Sequence, residues 1–192
     1  MSARNRYFAL RDDMRIPGRW HLRSPVDAQG QLIEPWPFTE GLALDTKRVI
    51  HFPVNPSGSA LDFTLASFSI PVVNGRVASL LEQLGLVSSE VQLIPAVVEG
   101  QSEPYFVLNT LQVIRSIDDA RCEEVLYWLP EDNRPDKEGQ YRDVSGLKVD
   151  PEKIGDANVF RPWGWTVVLI VSERVKLAME REGLTGPRFV EV

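Results

Sequence analysis

An uninterrupted run of aliphatic and β-branched residues, Thr166 to Val171, constrains the fold of this chain more than any other segment. A run of this kind, without polar residues at alternate positions, is typical of a strand that is buried on both faces of a sheet. Ser172 follows as a candidate N-cap, and Gly183 stands where a short helix would end. The pattern predicts a buried strand and then a helix at about 172–183.

A second helix is predicted at about 74–85. Asn74 is a candidate N-cap, and Gly85 stands at the position of a C-terminal glycine. The apolar residues between them recur at intervals of three and four, which places them on one face of a helix. These residues are Val77, Leu80, Leu81 and Leu84.

Much of the remaining chain has the character of strands. Apolar segments rich in β-branched and aromatic residues favour extended structure, and the polar residues 99–104 between two of them predict a hairpin connection. We therefore expect an α+β fold that is rich in strands, with mixed or antiparallel sheets and two main helices. The predicted strands are 49–54, 60–70, 91–98, 105–114, 123–129, 141–147 and 188–192.

The whole chain, residues 1–192, is expected to form a single domain. Its 192 residues, 43% hydrophobic and 25% charged, suit one larger globular domain. Prolines and a glycine break residues 15–45 into an irregular N-terminal part. A second irregular part, an acidic insertion rich in loops, is predicted at about 130–156. It lies within residues 118–156, where twelve acidic residues stand against six basic ones.

The net charge of −6 is unevenly distributed. Residues 1–96 carry nine basic and nine acidic residues, whereas residues 97–192 carry twelve basic and eighteen acidic ones. Negative charge of this kind disfavours nucleic acid and anionic membranes as partners and favours a basic protein. The single cysteine, the lack of an apolar leader and the lack of a long apolar run predict a cytoplasmic protein.

The sequence offers little catalytic chemistry. His21 and His51 have no cysteine or carboxylate at metal-ligand spacing, and Cys122 is followed by two glutamates that oppose a reactive thiolate. The common nucleophile and phosphate-binding motifs are missing from the sequence. We expect no catalytic residue, cofactor or metal, and hence a protein that is not an enzyme. A hydrolase or transferase whose site is assembled from these distant residues remains an alternative.

Two groups of residues are candidates for binding a protein partner. The first is the acidic part of the insertion, with Glu131, Asp132, Asp136 and Glu138. The second is the pair Trp163 and Trp165, because Trp and Arg often anchor protein interfaces. The tryptophans have two further interpretations: a hydrophobic lip that closes the sheet, or a symmetric interface of a homo-oligomer with a structural or regulatory role.

Several short blocks of the sequence are familiar. They are Tyr7-Phe8, Asp62-Phe63, 71–74 (PVVN), 92–95 (QLIP), 105–109 (YFVLN), Phe160-Arg161, 171–174 (VSER) and 183–189 (GLTGPRF). Together they resemble a bacterial family of myxobacterial-type immunity proteins of polymorphic toxin systems, first described as a domain of unknown function. The resemblance spans Tyr7 to Phe189. It implies a cytoplasmic antidote that binds and blocks a toxin encoded beside it without catalysis, and it implies no catalytic residues.

Overall fold

Two five-stranded sheets and a separate two-stranded hairpin form the framework of the protein. The computed structural model describes residues 5–45 and 47–192. In spatial order, the first sheet consists of β12 (Pro187–Glu191), β1 (Tyr7–Asp12), β11 (Leu169–Ser172), β10 (Val159–Pro162) and β7 (Val113–Ile114). The second consists of β2 (Ile50–Phe52), β5 (Val91–Val98), β6 (Tyr105–Thr110), β4 (Ile70–Asn74) and β3 (Phe63–Ala66). The hairpin pairs β8 (Glu124–Tyr127) with β9 (Tyr141–Ser145).

Both large sheets are mixed. The pairs β10–β7 and β2–β5 are parallel, and the other neighbouring strands within the two sheets are antiparallel. Three α-helices occur among the described residues: α1 (Gly75–Gln83), α2 (Pro151–Ile154) and α3 (Glu173–Arg181). The predicted α+β, strand-rich fold with two main helices is therefore confirmed. No helix of the described chain has the length and apolar character needed to cross a membrane.

The central core lies between the two large sheets. Phe8, Leu10 and Val171 come from the first sheet, and Phe63 and Leu108 come from the second. Helices α1 and α3 add their apolar faces to the same core, which explains why their apolar residues recur at helical spacing. Burial of these aliphatic and aromatic side chains is the main stabilising contribution to the fold.

The outer face of each large sheet is covered by irregular chain. Residues 15–45 place Trp20, Leu22 and Phe38 against the outer face of the second sheet. Residues 117–157 place Val149 and Ile154, with other apolar side chains, against the outer face of the first sheet. Because each sheet is covered on both sides, Leu169, Ile170 and Val171 of β11 are all buried, as the aliphatic run predicts.

Both predicted helix caps are confirmed. The Asn74 side chain accepts hydrogen bonds from the backbone N–H groups of Arg76 and Val77, and Ser172 accepts one from Val175. Gly85 and Gly183 follow the helices with positive φ angles of 72° and 61°. A side chain is disfavoured in this left-handed conformation, which is why glycine stands at both helix ends.

Several predicted strand boundaries are wrong. Strand β11 begins at Leu169, because Val168 closes a turn onto the Trp165 carbonyl. The predicted strand 60–70 contains β3 and a one-turn helix, and β4 then continues through Pro71 to Asn74. The predicted strand 105–114 is divided between β6 and β7, which belong to different sheets. The helix α2 falls where proline and glycine indicated only loop.

Candidate partner-binding surface

The acidic part of the insertion lies in the chain between β8 and β9, residues 128–140, which we call the acidic turn. This turn is held by its own ion pairs. The carboxylate of Asp132 accepts hydrogen bonds from the Leu129 backbone N–H at 2.9 Å and from Arg142 at 3.0 Å. Asp136 accepts two from Arg134, at 3.0 and 2.8 Å. Two of the four predicted acidic contact residues are therefore already paired, which reduces the negative charge that this turn presents.

A tryptophan forms the platform beneath these pairs. The guanidinium groups of Arg134 and Arg142 lie 5.7 and 5.6 Å from the ring centroid of Trp128. Contacts of this kind between cations and aromatic faces contribute about 0.5–1 kcal/mol each at exposed sites. Glu131 and Glu138 are exposed, and within the described residues neither forms an ion pair. They carry the unpaired negative charge of the turn.

Trp163 lies beside this hairpin although it is remote from it in sequence. The backbone N–H of Tyr141 donates a hydrogen bond of 3.2 Å to the carbonyl of Gly164. The guanidinium of Arg115 stacks on the Trp163 ring at 3.3 Å from its centroid. Of the two predicted tryptophans, the structure therefore brings Trp163 beside the hairpin that carries the predicted acidic residues.

An open cleft of about 520 Å³, the hairpin cleft, separates Trp163 from the hairpin. Its walls include Arg115, Asp119, Tyr127, Tyr141 and Trp163. The rings of Tyr127 and Tyr141 pack with centroids 5.0 Å apart, and both hydroxyl groups donate hydrogen bonds to the carboxylate of Asp119. Aromatic and arginine side chains are the residue types that most often anchor protein interfaces.

Asp119 also contributes to raising the pKa of both tyrosines. The pKa of Tyr141 is raised by partial burial and by its hydrogen bond to Asp119, and the pKa of Tyr127 is raised by its own hydrogen bond to that carboxylate. A phenolate beside a carboxylate would be repelled, so the neutral hydroxyls are favoured. At physiological pH both hydroxyls are neutral donors, and their hydrogen bonds tie the two rings to the same carboxylate.

Trp165 faces a different part of the surface from Trp163. It packs at the edge of the buried cluster on the outer face of the first sheet, and it lines a groove with Leu10, Leu65 and Val168. The two tryptophans thus line different concavities, Trp163 the hairpin cleft and Trp165 this groove.

A buried arginine fixes the turn that carries both tryptophans. The side chain of Arg161 is fully buried and donates hydrogen bonds to the carbonyls of Thr166, at 2.7 Å, and Ser69, at 3.3 Å. Within the described chain it forms no ion pair, and its Nε has no hydrogen-bond partner. Burial lowers the pKa of Arg161 to about 10, so the group remains charged at neutral pH. Its donors link the turn before β11 to the turn after β3.

The residues of the alternative catalytic site do not form a cluster. His21 and His51 belong to the region around the covering of the second sheet, whereas Cys122 packs against the outer face of the first. Burial raises the pKa of the Cys122 thiol, and the sulfur contacts the Lys148 backbone. A protonated thiol is a poor nucleophile. Among the described residues, no group of three or more His, Cys, Asp or Glu is arranged to hold a metal ion.

Of the residues that line the hairpin cleft, sequence reasoning named only Trp163 as a contact residue. Tyr127 and Tyr141 form a cross-strand pair, but a bulge between Leu126 and Tyr127 shifts the strand register, so the pairing was not readable from alternation. Arg115 and Asp119 lie in connecting segments and reach the cleft only through the tertiary fold. For the tyrosine pair, the sequence signal was the prediction of one strand on each side of the acidic turn, at 123–129 and 141–147.

The model of the immunity protein family Imm11 matches residues 1–192. A search of curated proteins found no match.

Proposed function

Because the chain belongs to the Imm11 immunity protein family, we propose that it binds and neutralises a cognate toxin of a bacterial polymorphic toxin system. It acts in the cytoplasm as a binding protein and performs no catalysis on the toxin. The toxin is a protein encoded beside it, and the hairpin cleft is the main contact surface.

The observation that carries this proposal is the meeting of aromatic, arginine and acidic residues around one cleft. Tyr127, Tyr141 and Trp163 supply large rings that are already held in place, and Arg115 is stacked rather than mobile. Rings held before binding lose little conformational entropy when a partner covers them. These residues therefore have the chemistry and the rigidity of interface anchors.

Glu131 and Glu138 support a different part of the proposed binding event. They are exposed charges in the chain between β8 and β9, outside the ion pairs that neutralise Asp132 and Asp136, and we call them the acidic rim. Rim charges change the rate of association more than the lifetime of a complex. We expect them to accelerate capture of a basic toxin, while Trp163 and the tyrosines determine how slowly it dissociates.

The first experiment measures the affinity of the purified chain for the toxin-like protein encoded by the adjacent gene, by isothermal titration calorimetry. Replacing Trp163→Ala or Tyr127→Ala removes an anchor and is expected to cost about 2 kcal/mol, roughly a 30-fold loss of affinity. The matched control is Trp36→Ala, an exposed tryptophan in the covering of the other sheet. Equal affinity of all three variants would move the interface away from the hairpin cleft. If the wild-type chain fails to bind, the proposed function is wrong.

A second experiment tests the acidic rim with the double variant Glu131→Lys, Glu138→Lys. Stopped-flow association should slow roughly tenfold at low salt, and the difference should shrink as ionic strength rises. The double variant Glu82→Lys, Glu103→Lys reverses the same number of charges at exposed glutamates of α1 and of the turn between β5 and β6, and provides the control for a change of net charge alone. An unchanged association rate in the rim variant would exclude Glu131 and Glu138 from capture.

The homo-oligomer interpretation is tested with the same samples. Light scattering of the free chain at micromolar concentration gives its mass, and the tryptophan interface predicts a dimer that Trp163→Ala or Trp165→Ala dissociates. A monomer that binds the toxin would support the immunity function and remove this alternative.

A further inference from the structure

A second concavity, which we call the arginine groove, is lined in part by residues of β1, β11 and β12 of the first sheet. Its volume is about 530 Å³. Leu10 and Leu169 form its buried floor, and Leu65, Trp165 and Val168 form partly buried walls. An exposed apolar recess of this kind is favourable for a side chain that leaves water on binding.

Two arginines stand at the mouth of this groove. Arg11 of β1 and Arg188 of β12 are directly opposite each other in the strand register, and both are exposed and line the groove. Like charges in directly opposed positions destabilise a sheet. Neither side chain forms an ion pair with a carboxylate in the described parts of the chain.

The carboxylates closest in sequence to Arg11 and Arg188 already have partners. Glu191, three residues from Arg188, is paired with Arg6 at 2.6 Å. Asp12 is paired with the buried Arg19 at 2.9 Å, and Asp13 is paired with Arg15 at 2.8 Å. Arg188 adds only a minor electrostatic effect on Asp13. A chain of net charge −6 thus presents two unpaired guanidinium groups side by side at an apolar recess.

The far wall of the groove is rigid. Ser69 and Val168 line it, and Arg161 joins the two turns that carry them through its hydrogen bonds to the carbonyls of Ser69 and Thr166. Phe68 and Ser69 have φ angles of 61° and 57°, which non-glycine residues adopt at an energetic cost. Conformations of this kind persist where the surrounding contacts hold them, so the wall is formed before a ligand arrives.

We propose that the arginine groove binds an extended segment of the protein partner in which an apolar side chain is followed by a carboxylate. The apolar side chain fills the recess beside Trp165, and the carboxylate accepts hydrogen bonds from Arg11 and Arg188. Guanidinium groups recognise carboxylates in a planar, bidentate geometry, and the bound anion removes the repulsion between the two arginines. This inference rests on the proposed function, because the segment belongs to the toxin.

The test is the single variant Arg11→Glu. In the free protein it replaces the repulsion across the β1–β12 pair with an attraction to Arg188, so its melting temperature should equal or exceed that of the wild type. Its affinity for the toxin encoded by the adjacent gene should nevertheless fall at least roughly tenfold. A purely structural role of Arg11 predicts unchanged affinity in a well-folded variant, and that result would overturn the inference.

Two further measurements complete the design. The double variant Arg11→Glu, Arg188→Glu should weaken binding roughly 30-fold or more. The control Arg23→Glu, Arg48→Glu changes the same charge at two exposed arginines outside the groove and should leave affinity within about threefold. If both double variants weaken binding equally, the effect is one of net charge and the groove is not the site. If the wild type fails to bind the toxin, the proposed function fails too; if it binds and Arg11→Glu binds equally well, only the groove is excluded.

The chemistry of the segment is tested by zero-length carboxyl-to-amine crosslinking of the complex with the Arg11→Lys and Arg188→Lys variants. Crosslinks from position 11 or 188 should lead to an Asp or Glu of the toxin that is adjacent to an apolar residue. Crosslinks only to carboxylates with polar neighbours, or none from a complex that has formed, would contradict the proposed occupant.

Discussion

The two outer coverings of the protein perform the same packing task in different ways. The Pro-rich covering, residues 15–45, inserts large side chains: Trp20 is 1% exposed, and its Nε1–H donates a 2.9 Å hydrogen bond to Thr64 of the sheet beneath. The acidic covering, residues 117–157, inserts mainly aliphatic residues such as Val149 and Ile154. It keeps Trp128 and Tyr127 near the surface.

The ion pairs of the two coverings also differ in exposure: the pair at the Pro-rich covering is buried and the pair at the acidic covering is exposed. The Arg19–Asp12 pair beneath the Pro-rich covering has side chains only 3% and 13% exposed, whereas the Arg142–Asp132 pair of the hairpin has 54% and 21% exposed. Large rings and charges that are buried stabilise the fold, and those that remain at the surface are available to a partner. Whether an irregular segment stabilises the fold or is available to a partner therefore depends on whether its aromatic and charged side chains are buried or exposed.

The largest expected difference is between two tryptophans. Trp20→Ala removes a fully buried ring and its hydrogen bond, and should lower the free energy of unfolding by about 3–5 kcal/mol. Trp128→Ala removes a half-buried ring that contacts two arginines, and should cost about 1–2 kcal/mol. Urea denaturation followed by circular dichroism measures both. Similar losses would mean that the two coverings contribute equally to stability.

A smaller difference is expected between two carboxylates. Asp12→Ala leaves Arg19 buried without its partner and removes the acceptor of the Leu65 N–H, so a loss of about 3 kcal/mol is expected. Asp132→Ala breaks an exposed pair and a turn hydrogen bond, for which about 1 kcal/mol is expected. The same denaturation assay applies. A greater loss for Asp132→Ala would mean that the ion pair of the hairpin stabilises the fold more than the pair beneath the Pro-rich covering does.

The smallest effect is a difference in the sign of pH dependence. Burial raises the pKa of Asp12 above 3.8, whereas the hydrogen bonds from Arg134 lower the pKa of Asp136 below 3.8. Folded Asp12 binds its proton at a higher pH than the unfolded chain does, so stability relative to Asp12→Asn should rise as pH falls through the raised pKa toward 3.8. Relative to the Asp136→Asn variant, the Asp136 carboxylate stabilises the protein above pH 3.8. This contribution should be lost as the pH falls through the lowered pKa of Asp136. Urea titrations across this range measure both signs, and parallel curves would contradict the expectation.

The elements that the sequence predicted well are those whose signals are local. The helices at 74–85 and 172–183 depend on caps, glycines and apolar spacing within a dozen residues, and α1 and α3 lie within these limits. The strand 91–98 was predicted with its exact bounds, because apolar residues begin and end there. The strand limits at 60–70 and 105–114 failed because Ser69 and Gln112 take their conformations from contacts with Arg161, which is remote in sequence.

The candidate surface was predictable only in part. Glu131 and Glu138 are exposed as the acidic composition suggested, but sequence does not reveal that Arg142 and Arg134 neutralise Asp132 and Asp136. Those ion pairs depend on how the hairpin folds back on itself. The sequence likewise gives no indication that Trp163 and Trp165 line separate concavities, because their placement depends on the turn that Arg161 holds.

By itself, the sequence determined the fold class, the two main helices, the sign and location of the charge, and the resemblance to immunity proteins. Each of these follows from local patterning or from composition, which do not depend on long-range geometry. Only the tertiary structure decided which irregular segment is a buried covering and which one presents aromatic rings. It alone brought Tyr127, Tyr141 and Trp163 around one cleft and set Arg11 opposite Arg188, because strand register and the packing of distant segments create neighbours that no spacing along the chain records.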